Sequence, residues 1–480
     1  MSFPSRTLPV SPITAVLDNG LHRIAALGGE LPQHANRIGQ ILWSPPRIVV
    51  VGRLKAGKST LVNALIGAPV AETAALEATH VVTIYADGAP SRAEAVGIDG
   101  ARIPIPIGAG PIDELPIPAD QIAYIQRWLP SAAIRDLTLI DTPGLATLTV
   151  ANESATRRAL IDGFAQTRAA SVDADAAVFL FDATPRADEI DFIKRLPFTP
   201  LNTLGVLSRA DGFGEGALGR RNPLEHAAQH ARLMESHLVD VVAAVVPVSG
   251  LLAQTCHTGQ LTERDAAALA QLQHLSPLAL VELLESEDLS AQKMGLTTAT
   301  RDRLLDLLGE YGMINGRRVA ARGAAELNQW LVECSGVKAL RHLLQTSLNR
   351  FATLHRAQRV LASIDELAFT HPARDSIRTI AFELRSSPEL LPVSLIADLH
   401  RLLESDPTSE SVAEIRAILV GTTPAAQLGI APESTPEQVK ACAAERLSRA
   451  QYRAAMGTSS AAEDAALTTL TQAYTGLAFT

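Results

Sequence analysis

At 480 residues the chain exceeds what one hydrophobic core supports, so two or three cooperating units are expected. Apolar residues make up 47% and charged residues 19%, which excludes wholesale disorder, and aromatics at 4% point to Ala- and Leu-rich packing of helix on helix. A formal net charge of −9 argues against a nucleic-acid-coating protein, because phosphate-backbone binding rests on Lys and Arg.

From Pro12 to Ile41 the apolar positions Ile13, Val16, Leu17, Leu21, Ile24 and Leu31 fall at near-helical spacing, which predicts one or two helices within residues 1–46. Arg47-Ile-Val-Val-Val-Gly52 then reads as a buried strand feeding a phosphate loop, and opens an α/β domain expected over 47–255. Short apolar runs predict strands at Ile48–Val51, Leu137–Ile140, Ala177–Phe181, Asn202–Leu207 and Ala243–Val248, in a mainly parallel sheet with helices on both faces. Between the first two lies a Pro- and Gly-rich insertion, where Ile98-Asp-Gly-Ala101 resembles a hairpin turn. Residues 256–480 read as an all-helical domain. Thr262-Glu-Arg-Asp265 is a capping-box-like start, Ala339–Leu367 carries one long apolar face preceded by a break at Gly336, and Gly421–Pro436 reads as a loop before a last helical hairpin. Arg317, Arg318, Arg322, Arg350, Arg356 and Arg359 are expected to form a solvated helical face.

Three widely spaced cysteines (Cys256, Cys334, Cys442) suggest neither a disulfide framework nor a zinc site, but buried thiols in a reducing cytosol. No run of about 18 apolar residues occurs and the first residues lack a secretory profile, so membrane contact is expected to be peripheral.

The strongest chemical signal is Gly52-Arg-Leu-Lys-Ala-Gly-Lys-Ser59, the spacing at which backbone N–H groups wrap phosphates. Gly52, Arg53, Leu54, Lys55, Ala56, Gly57, Lys58, Ser59 and Thr60 are therefore the expected nucleotide cradle. Lys58 supplies charge to the β- and γ-phosphates and Ser59 ligates Mg2+, with the N-terminus of the following helix adding partial positive charge. Asp141-Thr-Pro-Gly144 follows a strand, which places Asp141 to hold the metal through water and the Gly144 amide to face the γ-phosphate. Ser208-Arg-Ala-Asp211 stands where guanine-specific proteins carry Asn/Thr-Lys-x-Asp. Asp211 can accept the ring N–H and the exocyclic amine of guanine, a donor pair adenine lacks, while the flat head of Arg209 covers the base. Ser249 and Gly250, after the last strand, are expected to offer backbone N–H groups to the base. Thr73, Thr79 and Thr83 all lie where a switch threonine would bind metal by its hydroxyl and the γ-phosphate or attacking water by its backbone.

With these elements in hand, the chain resembles the bacterial dynamin-like GTPases, nearest to the isoniazid-inducible group. The likeness is carried by Val51-Gly-Arg-Leu-Lys-Ala-Gly-Lys-Ser-Thr-Leu-Val-Asn-Ala-Leu-Ile-Gly67, Glu77-Ala-Thr-His-Val-Val-Thr83, Asp141-Thr-Pro-Gly144, Leu207-Ser-Arg-Ala-Asp211, Val246-Pro-Val-Ser-Gly-Leu-Leu252 and Ser335-Gly-Val-Lys-Ala-Leu340. Ser59 and Thr79 lie 20 positions apart, similar to the dynamin spacing, which selects Thr79 as the switch residue. The resemblance implies a GTPase head on a neck and trunk joined from the N- and C-terminal helices, with GTP and Mg2+ as cofactors. It further implies head-to-head self-association or pairing with another dynamin-like subunit, cytoplasmic location at the inner face of the membrane, and bilayer fission or fusion. Many dynamins have Gln-Ser where this chain has Leu54-Lys55, and that serine helps hold a monovalent cation beside the leaving phosphate. The expectation is that the Lys55 ammonium supplies this charge itself, which makes Lys55 a catalytic candidate beside Lys58, Thr79 and Gly144. Two other readings stand beside this one: a GTP-binding switch or weakly hydrolysing partner subunit, and a ribosome- or RNA-associated regulatory GTPase, which would need a basic RNA-binding module.

Overall fold

The β-branched run within Arg47–Gly52 forms β1, an interior strand of the sheet, because a strand covered on both faces carries apolar side chains in continuous series. In a computed structural model, residues 11–71, 81–106, 108, 110–112, 114–143, 167–285, 296–457 and 460–479 are described. Two compact units are seen, one spanning Pro45–Asn349 and one joining the chain up to Ser44 with the chain from Arg350 onward. The second unit thus unites the N-terminal helices with C-terminal ones, while residues 256–349, expected in the helical domain, cluster with the sheet.

Among the described residues the sheet has nine strands: β1, β2 (Thr83–Asp87), β3 (Arg92–Gly97), β4 (Arg102–Ile105), β5 (Ile122–Leu129), β6 (Thr138–Asp141), β7 (Ala176–Phe181), β8 (Thr203–Ser208) and β9 (Val245–Val248). Their order is β4-β3-β5-β2-β6-β1-β7-β8-β9. From β6 to β9 every neighbouring pair is parallel, as is β2 with β5, whereas β2–β6, β3–β5 and β3–β4 are antiparallel. All five expected strands are present. Of the other four, β3 and β4 are the extended arms of the anticipated hairpin, in which Gly97 N–H donates to the Ala101 carbonyl at 2.8 Å and Gly100 takes a φ of 83°, while β2 and β5 are additional to the expected strands.

The helices of this unit include α3 (Lys58–Ile66), α4 (Ala187–Lys194), α5 (Pro223–His237), α6 (Gly250–His257), α7 (Glu263–Ala270), α8 (Pro277–Glu285), α9 (Thr298–Ala320), α10 (Ala324–Cys334) and α11 (Val337–Leu343), followed by a π-helical turn at Leu344–Leu348. Val49, Val51, Phe179, Phe181 and Leu207 share a core with Phe192 and Ile193 of α4 and Ala227, Ala231 and Met234 of α5, so alternate strand residues meet the same helix layer. A second core joins Leu252 and Cys256 of α6, Leu269 of α7, Leu304, Leu308 and Tyr311 of α9, and Leu327 and Leu331 of α10. The capping box at Thr262 and Asp265 forms as expected.

The other unit is helical: α1 (Pro12–Ala25), α2 (Leu31–Trp43), α12 (Asn349–Thr370), α13 (Arg374–Arg385), α14 (Leu391–Ser405), α15 (Glu410–Val420), α16 (Pro424–Gln427), α17 (Pro436–Met456) and α18 (Ala461–Phe479). The expected terminal hairpin is α17–α18, tied down by Arg453, which donates to Glu414 and Glu463 carboxylates at 2.8 and 2.6 Å. The solvated arginine face is corrected at two positions. Arg317 and Arg356 are buried, and an Arg356 guanidinium nitrogen donates to the carbonyls of Leu42 and Ser44.

Candidate nucleotide site

At the end of β1, Gly52 takes a φ of 157°, and a Cβ there would lie 2.5 Å from the Leu180 carbonyl oxygen, so only glycine lets the strand turn into the loop against β7. The loop then curls through two further positive-φ residues, Lys55 at 65° and Gly57 at 95°, before α3 starts at Lys58. Left-handed backbone is costly for a lysine, and its persistence here marks a loop whose shape its surroundings over-determine. Arg53 turns towards Glu189 of α4, with 3.7 Å between the charged atoms, and burial raises the Glu189 carboxyl above its ordinary range.

Lys58 is buried and folds back over the loop, its ammonium donating to the carbonyls of Gly52 (3.1 Å) and Arg53 (3.0 Å). Burial pulls its pKa down, opposed by the charge of Asp141. Ser59 Oγ donates to Asp141 Oδ2 at 3.1 Å. Burial raises the Asp141 carboxyl to about 6, while Lys58, Ser59 and the Thr142 backbone pull it down. Its Oδ1 is buried with no hydrogen-bond partner. A buried carboxylate with one oxygen unsatisfied, beside a serine hydroxyl, is a hard-cation donor set and fits Mg2+. Thr142 Oγ1 donates to the Val50 carbonyl at 2.7 Å, which ties the segment after β6 to β1.

Across the loop, β8 delivers Ser208 and Arg209. Ser208 is buried and its Oγ lacks a partner. Arg209 takes a φ of 54° and donates to the carbonyl of Lys55 at 2.7 Å. Asp211 sits partly exposed in the following 3-10 turn, Ala210–Gly212. Ser249 is fully buried, and its N–H donates to the Ser335 carbonyl at 2.9 Å while its Oγ accepts from Leu252 N at 3.3 Å as the N-cap of α6. Its amide is therefore already committed within the fold. Gly250 packs against the phosphate loop, where a Cβ would sit 3.4 Å from Thr60 Cγ2.

The structure thus brings together Gly52 to Thr60, Asp141, Ser208, Arg209 and Gly250. Thr73, Thr79 and Gly144 lie outside the described residues. Thr83 is in β2, paired across from Asp141. Two neighbours of the site went unread. Asn63 Oδ1 accepts from the amides of Val70 (2.8 Å) and Ala71 (2.6 Å), and Arg127 donates to the carbonyls of Val70 (3.2 Å) and Gly110 (2.8 Å). Asn63 lies within the quoted phosphate-loop stretch, whereas nothing around Arg127 in β5 signals its contacts.

A family model described as 50S ribosome-binding GTPase matches residues 47–199, from β1 past the end of α4. The isoniazid-induced protein IniC of Mycobacterium tuberculosis is 31% identical over 440 residues, covering 87% of this chain and 86% of that protein. The chain belongs to the isoniazid-inducible group of bacterial dynamin-like GTPases. IniA of the same organism is 35% identical over 138 residues, 27% of this chain and 22% of IniA. A solved structure described as an oligomerised bacterial dynamin pair, a mechanism for long-range sensing and tethering of membranes, aligns with 100% of this chain and 78% of its own at 14% identity and a TM-score of 0.31, too slight a likeness to carry any argument. Membership of this dynamin-like group accounts for an α/β head with a mixed sheet, followed by a long helical region.

Proposed function

We propose that this chain hydrolyses GTP to GDP and phosphate and couples the cycle to peripheral membrane binding and remodelling, by fission or fusion. The observation that carries the reading is the Lys58–Ser59–Asp141 arrangement, an ammonium, a hydroxyl and a half-satisfied buried carboxylate around one phosphate loop. Lys58 exchanges its two carbonyl partners for β- and γ-phosphate oxygens, and the loop amides of Gly52 to Thr60 surround the rest. Ser59 and Asp141 hold Mg2+, with Thr79 completing the set. When bound, the ion neutralises charge on the β- and γ-phosphates. Thr79 and the Gly144 amide position the attacking water and the γ-phosphate. The Lys55 ammonium stabilises charge beside the leaving phosphate, where other dynamins use a monovalent cation. Asp211 accepts from the guanine edge, Arg209 covers the base, Ser208 and Ser249 shape the site, and the Gly250 amide faces the base.

Family membership supports the membrane reading and the pairing of heads or of dynamin-like subunits. No helix among the described residues is long and apolar enough to cross a membrane. The test is phosphate release from GTP at rising protein concentration with and without liposomes. The proposal expects release that grows faster than linearly with protein and increases on liposomes that co-sediment the chain. Release unaltered by both, with no co-sedimentation, overturns the membrane reading.

A further inference from the structure

α9 is helical from Thr298 to Ala320 except at one residue: Gly309 has φ 59° and ψ −178°. Such a break inside a long helix needs a cause, because the ladder bonds that span it are lost. No proline causes this one. The break falls instead where α9 passes Asp211, assigned to the base, and Leu251. A Cβ on Gly309 would lie 3.7 Å from Asp211 Oδ2 and 3.2 Å from Leu251 Cδ2, the residue after Gly250.

Both sides of the break are fastened to neighbouring helices. Two residues before it, the Leu307 carbonyl, whose helical donor would be the Tyr311 amide, accepts the Thr255 hydroxyl of α6 at 2.5 Å. Two residues after it, the Tyr311 ring stacks on Trp330 of α10 at 6.1 Å between centroids. Asn222 is the N-cap of α5, where it accepts from Leu224 N at 3.0 Å, and it ends the segment that begins at Asp211. The Asp211–Asn222 segment therefore starts beside the break of α9.

We infer that the break of α9 at Gly309 is the outer wall of the guanine subsite and a determinant of base selection. This rests on the reading of Asp211 given above. A carboxylate that must accept from both the ring N–H and the exocyclic amine needs its two oxygens turned to the base and clear of side chains. Bare Cα at 309 leaves that approach open. Any L side chain there would be strained at φ 59° and would press on Leu251, in the wall beside Asp211.

The experiment is calorimetric titration of the full chain with GDP, IDP and ADP, for wild type, Gly309→Ala and Asp211→Ala. IDP lacks the exocyclic amine. Wild type is expected to prefer GDP to IDP, and Gly309→Ala to bind GDP about tenfold or more weakly with that preference narrowed, while its circular dichroism stays native. If wild type does not distinguish GDP from ADP, or Asp211→Ala binds GDP unchanged, the guanine reading itself fails. If Asp211→Ala loses GDP while Gly309→Ala keeps both its affinity and its GDP-to-IDP ratio within twofold, the guanine reading stands and the role of Gly309 is overturned. Hydrogen exchange on wild type decides if Gly309→Ala does not fold. GDP should slow exchange over 305–313, and protection confined to 52–60 and 208–212 contradicts the inference.

Discussion

The Arg209 guanidinium donates to the carbonyl of Lys55 at 2.7 Å, so the residue assigned to cover the base also fixes the crest of the phosphate loop. Both residues have positive φ, 54° and 65°. Arg209→Ala should therefore weaken GDP and GTP together, by about tenfold, the loss of a charge-assisted hydrogen bond of about 1.4 kcal/mol. Arg209→Lys should recover part of it. Calorimetry on both variants with both nucleotides checks this, and a loss confined to GTP counts against a role at the base.

If the Lys55 ammonium replaces a monovalent cation, GTP turnover should be similar in potassium, sodium and a bulky organic cation. Lys55→Ala should lower turnover by about 100-fold with little change in GDP affinity, as expected when charge is removed from a phosphoryl-transfer site. Strong potassium dependence of the native protein removes the idea.

Gly336 and Gly100 both take left-handed backbone, with φ of 76° and 83°, but their surroundings differ. A Cβ on Gly336 would lie 2.1 Å from the Pro247 carbonyl oxygen, next to the point where Ser335 receives the Ser249 amide, while Gly100 has nothing within 4 Å. Alanine at 100 should cost about 1 kcal/mol, the conformational term alone. Alanine at 336 should cost about 3 kcal/mol or more, because backbone must also move. Urea midpoints of the two variants test the contrast.

His355 of α12 is buried, and burial, with Arg359 and His400 nearby, pushes its pKa down from 6.5 to about 3. The unfolded chain therefore takes up the proton first, so stability held above about pH 6.5 is lost as pH falls towards 3. Between pH 7 and pH 5 this single group should cost about 2 kcal/mol. Denaturant midpoints measured across that range should fall for wild type and fall less for His355→Gln.

The phosphate loop was legible because its signal is local: Gly52, Lys58 and Ser59 lie within eight residues and follow an apolar strand. The central strands were legible for the same reason, since burial on both faces makes continuous apolar runs. The hairpin of β3 and β4 was legible through its turn, whereas β2 and β5 were not, because Gln126 and Arg127 stand side by side in β5 and the pairing of the two strands is set by partners distant in sequence. Helical spacing placed Arg317 and Arg356 on faces without revealing what those faces meet. Arg356 is buried by carbonyls from Leu42 and Ser44, more than 300 positions away. Likewise Arg127 and Gly309 act on Val70 and Asp211 through folding alone, although a glycine inside an apolar helical run was a visible signal at 309.

The most direct test of the whole account is calorimetric titration of the nucleotide-free chain with GTP and with ATP in the presence of Mg2+. The account predicts saturable heat with GTP, loss of at least 100-fold in affinity for Lys58→Ala, and no competition from ATP at equal concentration. No heat with GTP, or a preference for ATP, would contradict it.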